Sequence, residues 1–174
     1  IEEADEEFDE DDFVFDEDKP LEKMTLEELK NYADLSDIDI TGLTSKKQIR
    51  EAIEAAGNIL LQNGNIKKKY IDDMVKAVVS MGPYMVITPG FALAHAKPSS
   101  DVLENSVSLI TLKNPVKFGS INDPVNVVLC IACVDNISHI NVLKAVAEKL
   151  MIEEMIAKIA LCQSVEEVYS LING

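Results

Sequence analysis

Val125-Asn126-Val127-Val128-Leu129-Cys130-Ile131-Ala132-Cys133-Val134 is apolar at every position but Asn126, as expected of a strand covered on both faces and unlike the alternation of a half-solvated one. It runs into an Asp135-Asn136 turn signal and then Ser138, after which Ile140, Leu143, Val146, Ala147 and Leu150 recur at helical spacing. A doubly covered strand needs sheet neighbours and a layer on each side. The β-branched runs Tyr84-Met85-Val86-Ile87-Thr88 and Val107-Ser108-Leu109-Ile110-Thr111-Leu112 are predicted to supply the neighbours.

Helical stripes for the layers lie before and after these strands. Ile49, Ala52, Ile53, Ala56 and Leu60 follow a capping signal at Ser45-Lys46-Lys47-Gln48 and stop at Asn63-Gly64. Tyr70, Ile71, Met74, Ala77 and Val78 form a second stripe that ends at Gly82-Pro83, and the short connection between the two predicts antiparallel neighbours. Met155, Ile156 and Ile159, then Val165, Val168, Leu171 and Ile172 behind Ser164-Val165-Glu166-Glu167, complete the pattern. Helices on both sides of a sheet predict a layered α/β or α+β domain over residues 21–174.

Upstream, Thr25-Leu26-Glu27-Glu28 fits a capping box opening a short helix that ends near Tyr32. Ile38-Asp39-Ile40 alternates like a brief strand or extended link, and Gly42 punctuates the chain just beyond it. Residues 1–20 hold twelve acidic side chains against Lys19 alone, a charge of −11 out of −15 for the chain. Like charges at that density extend a chain, so this lead is read as an acidic linker or tail in preference to a partner-binding motif.

The 174 residues, 47% apolar and 27% charged, suffice for one substantial core and exclude wholesale disorder. A net charge of −15 repels phosphate backbones and anionic lipid, so neither direct nucleic-acid binding nor membrane-surface binding is expected. The longest apolar run, Val127 to Val134, is eight residues, well short of the ~18 to 20 that span a bilayer. Three cysteines and the lack of a secretory signal at the N-terminus of the sequence point to a reducing, cytosolic compartment. The chain begins with Ile1, so it is expected to be a piece of a longer protein or a trimmed form.

Only two histidines occur, His95 and His139. His95 follows Thr88-Pro89-Gly90-Phe91-Ala92-Leu93-Ala94, an extended segment after a strand, and precedes Ala96-Lys97-Pro98, so prolines stiffen the backbone on both sides. Taken alone it reads equally as a chemical or a structural histidine. His139 lies in the first turn of the helix after the buried strand, where free N–H groups and the helix dipole attract anions. Alone it reads first as a cap or a packing group. Two histidines at strand ends nevertheless suggest one shared site, and a phosphoryl group is the anion that suits it.

Cys130 and Cys133 have C-x-x-C spacing, but residues three apart in a strand point to opposite faces, so both are read as buried small apolar groups and not as metal ligands. Cys162 has no base beside it. The sequence contains no P-loop, G-x-G-x-x-G, H-E-x-x-H or G-x-S-x-G, which leaves nucleotide hydrolysis, dinucleotide redox chemistry, zinc proteolysis and α/β-hydrolase chemistry without their minimal parts.

The segment Gly82-Pro83-Tyr84-Met85-Val86-Ile87-Thr88-Pro89-Gly90-Phe91-Ala92-Leu93-Ala94-His95-Ala96-Lys97-Pro98 resembles the active-site signature of type 2 enzyme IIA domains of the bacterial sugar phosphotransferase system. Within that mannitol/fructose superfamily it is most similar to the ascorbate and galactitol-like branch. Glu51-Ala52-Ile53-Glu54-Ala55-Ala56-Gly57 with Asn63-Gly64 and Tyr70-Ile71, Leu112-Lys113-Asn114-Pro115-Val116-Lys117-Phe118-Gly119 with Asn122-Asp123-Pro124-Val125, and Ser138-His139-Ile140-Asn141-Val142-Leu143 extend the resemblance in order across 21–174.

The resemblance implies an α/β fold with a mixed, largely parallel sheet flanked by helices on both faces. It implies a phosphohistidine carrier: His95 accepts a phosphoryl group from the phosphocarrier protein HPr and passes it to a cysteine of an enzyme IIB, with His139 hydrogen-bonding the phosphoryl group. No metal or cofactor is required. The alternative it implies is a regulatory domain of a transcriptional regulator or antiterminator, in which the same histidine reports phosphorylation state. The family usually has Pro just before the active histidine and often Arg two residues after it, where this chain has Ala94 and Lys97. Lys97 keeps the positive charge and loses the planar fork.

Residues 1–20 have few bulky apolar side chains, chiefly Phe8, Phe13, Val14 and Phe15, and little core to offer. Their deletion should leave the thermal midpoint nearly unchanged. A large drop in a calorimetric scan would mean that these side chains dock on the domain.

Overall fold

The computed structural model describes residues 23–28 and 41–174. The acidic lead, the end of the first helix near Tyr32 and the Ile38-Asp39-Ile40 link lie outside the described residues. The capping box at Thr25 is formed: Thr25 N–H donates to Glu28 Oε2 at 2.6 Å and Glu28 N–H to Thr25 Oγ1 at 3.2 Å.

Residues 45–174 make one compact unit. Helix α1, Thr41–Gln62, begins four residues before the expected capping signal at Ser45 and runs through Gly42. One glycine costs a helix only about 0.5–1 kcal/mol relative to alanine, which a helix of this length absorbs. Its stop is as expected. Gly64 takes φ 77°, Gly64 N–H reaches Leu61 O and Asn65 N–H reaches Leu60 O, a Schellman motif in which a side chain would be strained. Helix α2, Lys68–Met81, buries Tyr70, Ile71, Met74, Val75 and Val78.

The four strands are β1 (Val86–Thr88), β2 (Phe91–Ala94), β3 (Ser106–Val116) and β4 (Val125–Ala132), in the order β1-β2-β4-β3. Helices α3 (Asn136–Leu150), α4 (Met155–Leu161) and α5 (Val165–Asn173) come after them in the chain. The sheet is mixed, as expected, but not largely parallel: only β2 with β4 is parallel, while β1–β2 and β3–β4 are antiparallel. The connections explain this correction. β1 turns into β2 through Pro89-Gly90 alone, whereas a parallel pairing needs a crossover of a dozen or more residues.

Strand β2 goes beyond the sequence reading, in which 91–94 is only an extended segment. Four residues, two of them Ala, carry little β signal; what makes them a strand is pairing with β4 from Phe91↔Val127 to Ala94↔Cys130. β3 runs past Leu112 to Val116 with a register irregularity after Thr111, and it tolerates Pro115 because it lies at the sheet edge.

Alternation along β4 divides the core in two. Val128, Cys130 and Ala132, with Ala92 and Ala94 of β2, pack in a cluster with Ile53, Ala56, Leu60, Tyr70, Ile71 and Met74 of α1 and α2. Val127, Leu129 and Ile131, with Phe91 and Leu93, pack in a second cluster with Val146, Leu150, Ile156 and Ile159 of α3 and α4, and Val168 and Ile172 of α5 lie against it. Helices therefore cover both faces, and β4 reads as apolar throughout because each side of it meets a helical layer. Cys130 and Cys133 are both buried. Cys130 belongs to the α1/α2 cluster, and burial pushes its thiol up to about 12; Cys133 lies just past the last residue of β4.

Gly57 of α1 sets how closely the first two helices approach, because a Cβ there would stand 2.9 Å from Ile71 Cγ1 and 3.3 Å from Met74 Cε. Gly57→Val should destabilise the domain by roughly 1–3 kcal/mol, the usual cost of overpacking a filled core. Urea unfolding would check it, as a lower midpoint at unchanged slope.

Candidate functional site

Parallel strands send their carboxyl ends to the same edge of a sheet, and ligands gather there. β2 ends at Ala94, paired with Cys130, so the next residue, His95, emerges at the edge where β4 ends. From β4 the chain passes through Cys133, Val134 and Asp135 into α3, with His139 in the first turn. The pairing brings together the two histidines that the sequence singles out: their ring centroids are 5.5 Å apart, tilted by 43°. Both are half-buried.

His95 is oriented from within its own strand end. Its Nδ1 lies 2.8 Å from Leu93 O. A carbonyl only accepts, so in the neutral ring Nδ1 carries the proton and Nε2 holds the lone pair. The Tyr84 ring stands against the imidazole at 5.7 Å and 85°, an edge contact, so His95 has one aromatic neighbour in Tyr84 and another in His139.

His139 is held differently. Asp135 caps α3, taking Ser138 N–H on Oδ1 at 2.7 Å and Ser138 Oγ–H on Oδ2 at 3.1 Å, and the bond from Ser138 N–H keeps its carboxyl below the ordinary range. His139 N–H bonds Asp135 O. One free helix-terminal donor, Ser138 N–H, is therefore already engaged, and His139 N–H makes the first bond within the helix, so what His139 itself offers is its imidazole. Its Nδ1 is buried and has no hydrogen-bond partner among the described residues. Burial, and then repulsion from His95, lowers the His139 pKa, so the neutral ring, with one N–H to donate, prevails near pH 7.

Tyr70 and Tyr84 fall in stretches that carry the family resemblance, but the sequence reading gives neither of them a role at the site. Tyr70 Oη accepts from Ala96 N–H at 3.1 Å and lies 2.9 Å from Ile131 O and 3.1 Å from Ala96 O. In the sequence it is one member of a helical apolar stripe, and nothing local links it to Ala96, 26 positions away. Tyr84 opens a predicted strand in the sequence, whereas β1 begins at Val86 and leaves Tyr84 in the bend before it. Lys97 is exposed and makes no ion pair among the described residues.

The pair is half-buried at the sheet edge. The 630 Å³ groove between β3 and α5, lined by Val107, Leu109, Val165, Val168, Tyr169 and Ile172, contains neither histidine. Among the described residues, no group of three His, Cys, Asp or Glu side chains is gathered to hold a metal ion. A half-buried nitrogen with a free lone pair beside a neutral imidazole donor can bond a small anionic group and steady it.

Comparison with known proteins gives the arrangement a family. The profile described as phosphoenolpyruvate-dependent sugar phosphotransferase system, EIIA 2, matches residues 35–174. The ascorbate-specific PTS system EIIA component of Escherichia coli is 31% identical over 126 residues, 71% of this chain and 82% of that protein. The mannitol-specific cryptic phosphotransferase enzyme IIA component of E. coli is 28% identical over 145 residues, 83% and 97% of the two chains, and its solution structure superposes with a TM-score of 0.66 over 72% of this chain and 86% of that one. The complex of enzyme IIA and phosphorylated enzyme IIB for mannitol from E. coli matches at 27% identity and a TM-score of 0.63, over 72% of this chain and 87% of that one.

The depressed His139 pKa has two causes that can be separated. In a proton NMR titration His139 should titrate below the ordinary 6.5, and in His95→Ala its midpoint should rise part of the way back, leaving the share due to burial. Because the folded pKa lies below the unfolded one, the stability that neutral His139 contributes is present above about pH 6.5. It is lost as pH falls from there through the folded pKa.

Proposed function

The chain belongs to the EIIA 2 family of the phosphoenolpyruvate-dependent sugar phosphotransferase system, and from that premise we propose that it is a phosphohistidine carrier, with His95 the residue that takes the phosphoryl group and His139 the residue that steadies it. The observation that carries the reading is the Nδ1 contact to Leu93 O beside the second imidazole. It reserves Nε2 as the nucleophile.

In the first half-reaction the Nε2 lone pair of His95 attacks phosphorus of phosphorylated HPr in line. The new N–P bond forms as the bond to the donor histidine breaks, and that donor leaves with the electron pair. The Nδ1 proton stays where Leu93 O holds it and spreads the positive charge that develops on the ring. His139, its neutral form favoured by burial, donates its N–H to a phosphoryl oxygen. In the second half-reaction the thiolate of an enzyme IIB cysteine attacks phosphorus, an S–P bond forms, the N–P bond breaks and the electron pair returns to Nε2. Protons, charge and phosphoryl group balance without a metal or cofactor.

The E. coli enzyme IIA complex with phosphorylated IIB supports IIB as the acceptor. The matched relatives are named as ascorbate-specific and mannitol-specific components of the phosphotransferase system, which supports a transport carrier over a regulator's sensor domain. Residues 1–20 are read from their charge as an acidic linker or tail ahead of the carrier domain. Three free cysteines support a cytoplasmic setting, and among the described residues no helix is long and apolar enough to cross a membrane.

Incubation with phosphoenolpyruvate, enzyme I and HPr should add the mass of one phosphoryl group to the wild type and to His139→Ala, and none to His95→Ala. Labelled His95→Ala would overturn the assignment. In single-turnover transfer to IIB, His139→Ala should be slower by roughly 10²- to 10³-fold, the usual cost of one transition-state donor, and His139→Gln should recover part of the loss.

A further inference from the structure

We propose that the Tyr70 hydroxyl is a positioning group for the transfer site, a spacer between the segment that carries His95 and the strand that leads to His139. The inference rests on the carrier reading for its kinetic consequence and on geometry alone for its structural one.

The parallel ladder between β2 and β4 ends at Ala94↔Cys130. One step further on, Ala96 and Ile131 do not bond each other directly; the phenol oxygen stands between them, 3.1 Å from Ala96 N and 2.9 Å from Ile131 O. A hydroxyl has one proton and two lone pairs, so it accepts from Ala96 N–H while donating to Ile131 O, with Ala96 O also in reach at 3.1 Å. Tyr70 thus takes the place of the next rung and sets how far the two chains part. Ala96 directly follows the nucleophile, and Ile131 lies four residues before Asp135, the cap of the His139 helix.

The spacer is itself rigid. The Tyr70 side chain is fully buried among the α1/α2 cluster, with Ile71 and Met74 of its own helix and Ala94 of β2 as cluster members. Desolvation, partly offset by the bond to Ala96, pushes its phenol well above the ordinary 10, so the donor proton stays in place at neutral pH. Without the hydroxyl, Ala96 N–H and Ile131 O must close on each other or admit a water. Either change moves His95 relative to His139, and displacement on the ångström scale is enough to slow a positioned reaction about 100-fold.

Tyr70→Phe keeps the ring and removes the spacer; p-fluorophenylalanine at position 70 fills the oxygen's volume without its proton and serves if Phe does not fold. Ser108→Ala is the control. It deletes another buried hydroxyl, bonded to Ala56 O at 2.6 Å, on β3, two strands from β2. Both variants should lower the thermal midpoint. Only the Tyr70 variant should slow single-turnover phosphorylation of His95, by roughly 10- to 100-fold, and only it should shift the nitrogen-15 signature of His95 from the Nδ1–H form toward a mixture of tautomers. A wild-type rate or an unchanged tautomer in the Tyr70 variant, or an equal slowing in Ser108→Ala, overturns the proposal. The tautomer measurement needs no phosphoryl donor, so it decides Tyr70 even if the wild type takes no label, the outcome that would sink the carrier reading.

Discussion

Everything at the site depends on the parallel pairing of β2 with β4. Four residues, Phe91 to Ala94, lie in register against Val127 to Cys130, and that short ladder puts two strand ends, one carrying His95 and the other leading to His139, on one edge of the sheet. An antiparallel pairing would have sent the two histidines to opposite edges. The pairing is stabilised less by its hydrogen bonds than by what covers it. Each face of β2 and β4 is buried against a different set of helices, so a one-residue slip would move apolar side chains of β4 from one cluster into the other.

The two histidines are chemically distinct because their surroundings differ. His95 has its Nδ1 committed to a carbonyl of its own strand end and one nitrogen left over. His139 is drawn toward the neutral state by burial and by its neighbour, and its Nδ1 makes no hydrogen bond among the described residues. One ring is thereby suited to attack and the other to donate. Asp135 contributes at one remove: by capping α3 it fixes the first turn and takes up a backbone donor that an anion would otherwise compete for.

Ala94 and Lys97, where the family usually has Pro and Arg, fit this picture. Ala94 is the last residue of β2, fully buried and paired with Cys130, so its backbone is held by the sheet without a proline ring. Lys97 is exposed beyond the point where the Tyr70 hydroxyl holds Ala96. A cation there is exposed to solvent and takes no part in the contact between the two imidazoles.

Much of this is legible in the residues themselves. Apolar spacing marks all five helices of the 45–174 unit, because a stripe at i, i+3, i+4 is a local property. Composition marks β4 as doubly covered, and the scarcity of histidine draws attention to His95 and His139. The pairing of strands is not legible: residues 91–94 carry too few β-formers to declare a strand, and the sense of each pairing depends on connection lengths and on which neighbour is met in space. Nor are the tyrosines. Tyr70 looks like any core position of an amphipathic helix, and its hydroxyl acquires a role only because packing α2 on the sheet carries it to Ala96 and Ile131. Local spacing is written along the chain, whereas a hydrogen bond between residues 61 positions apart exists only once burial has brought them together.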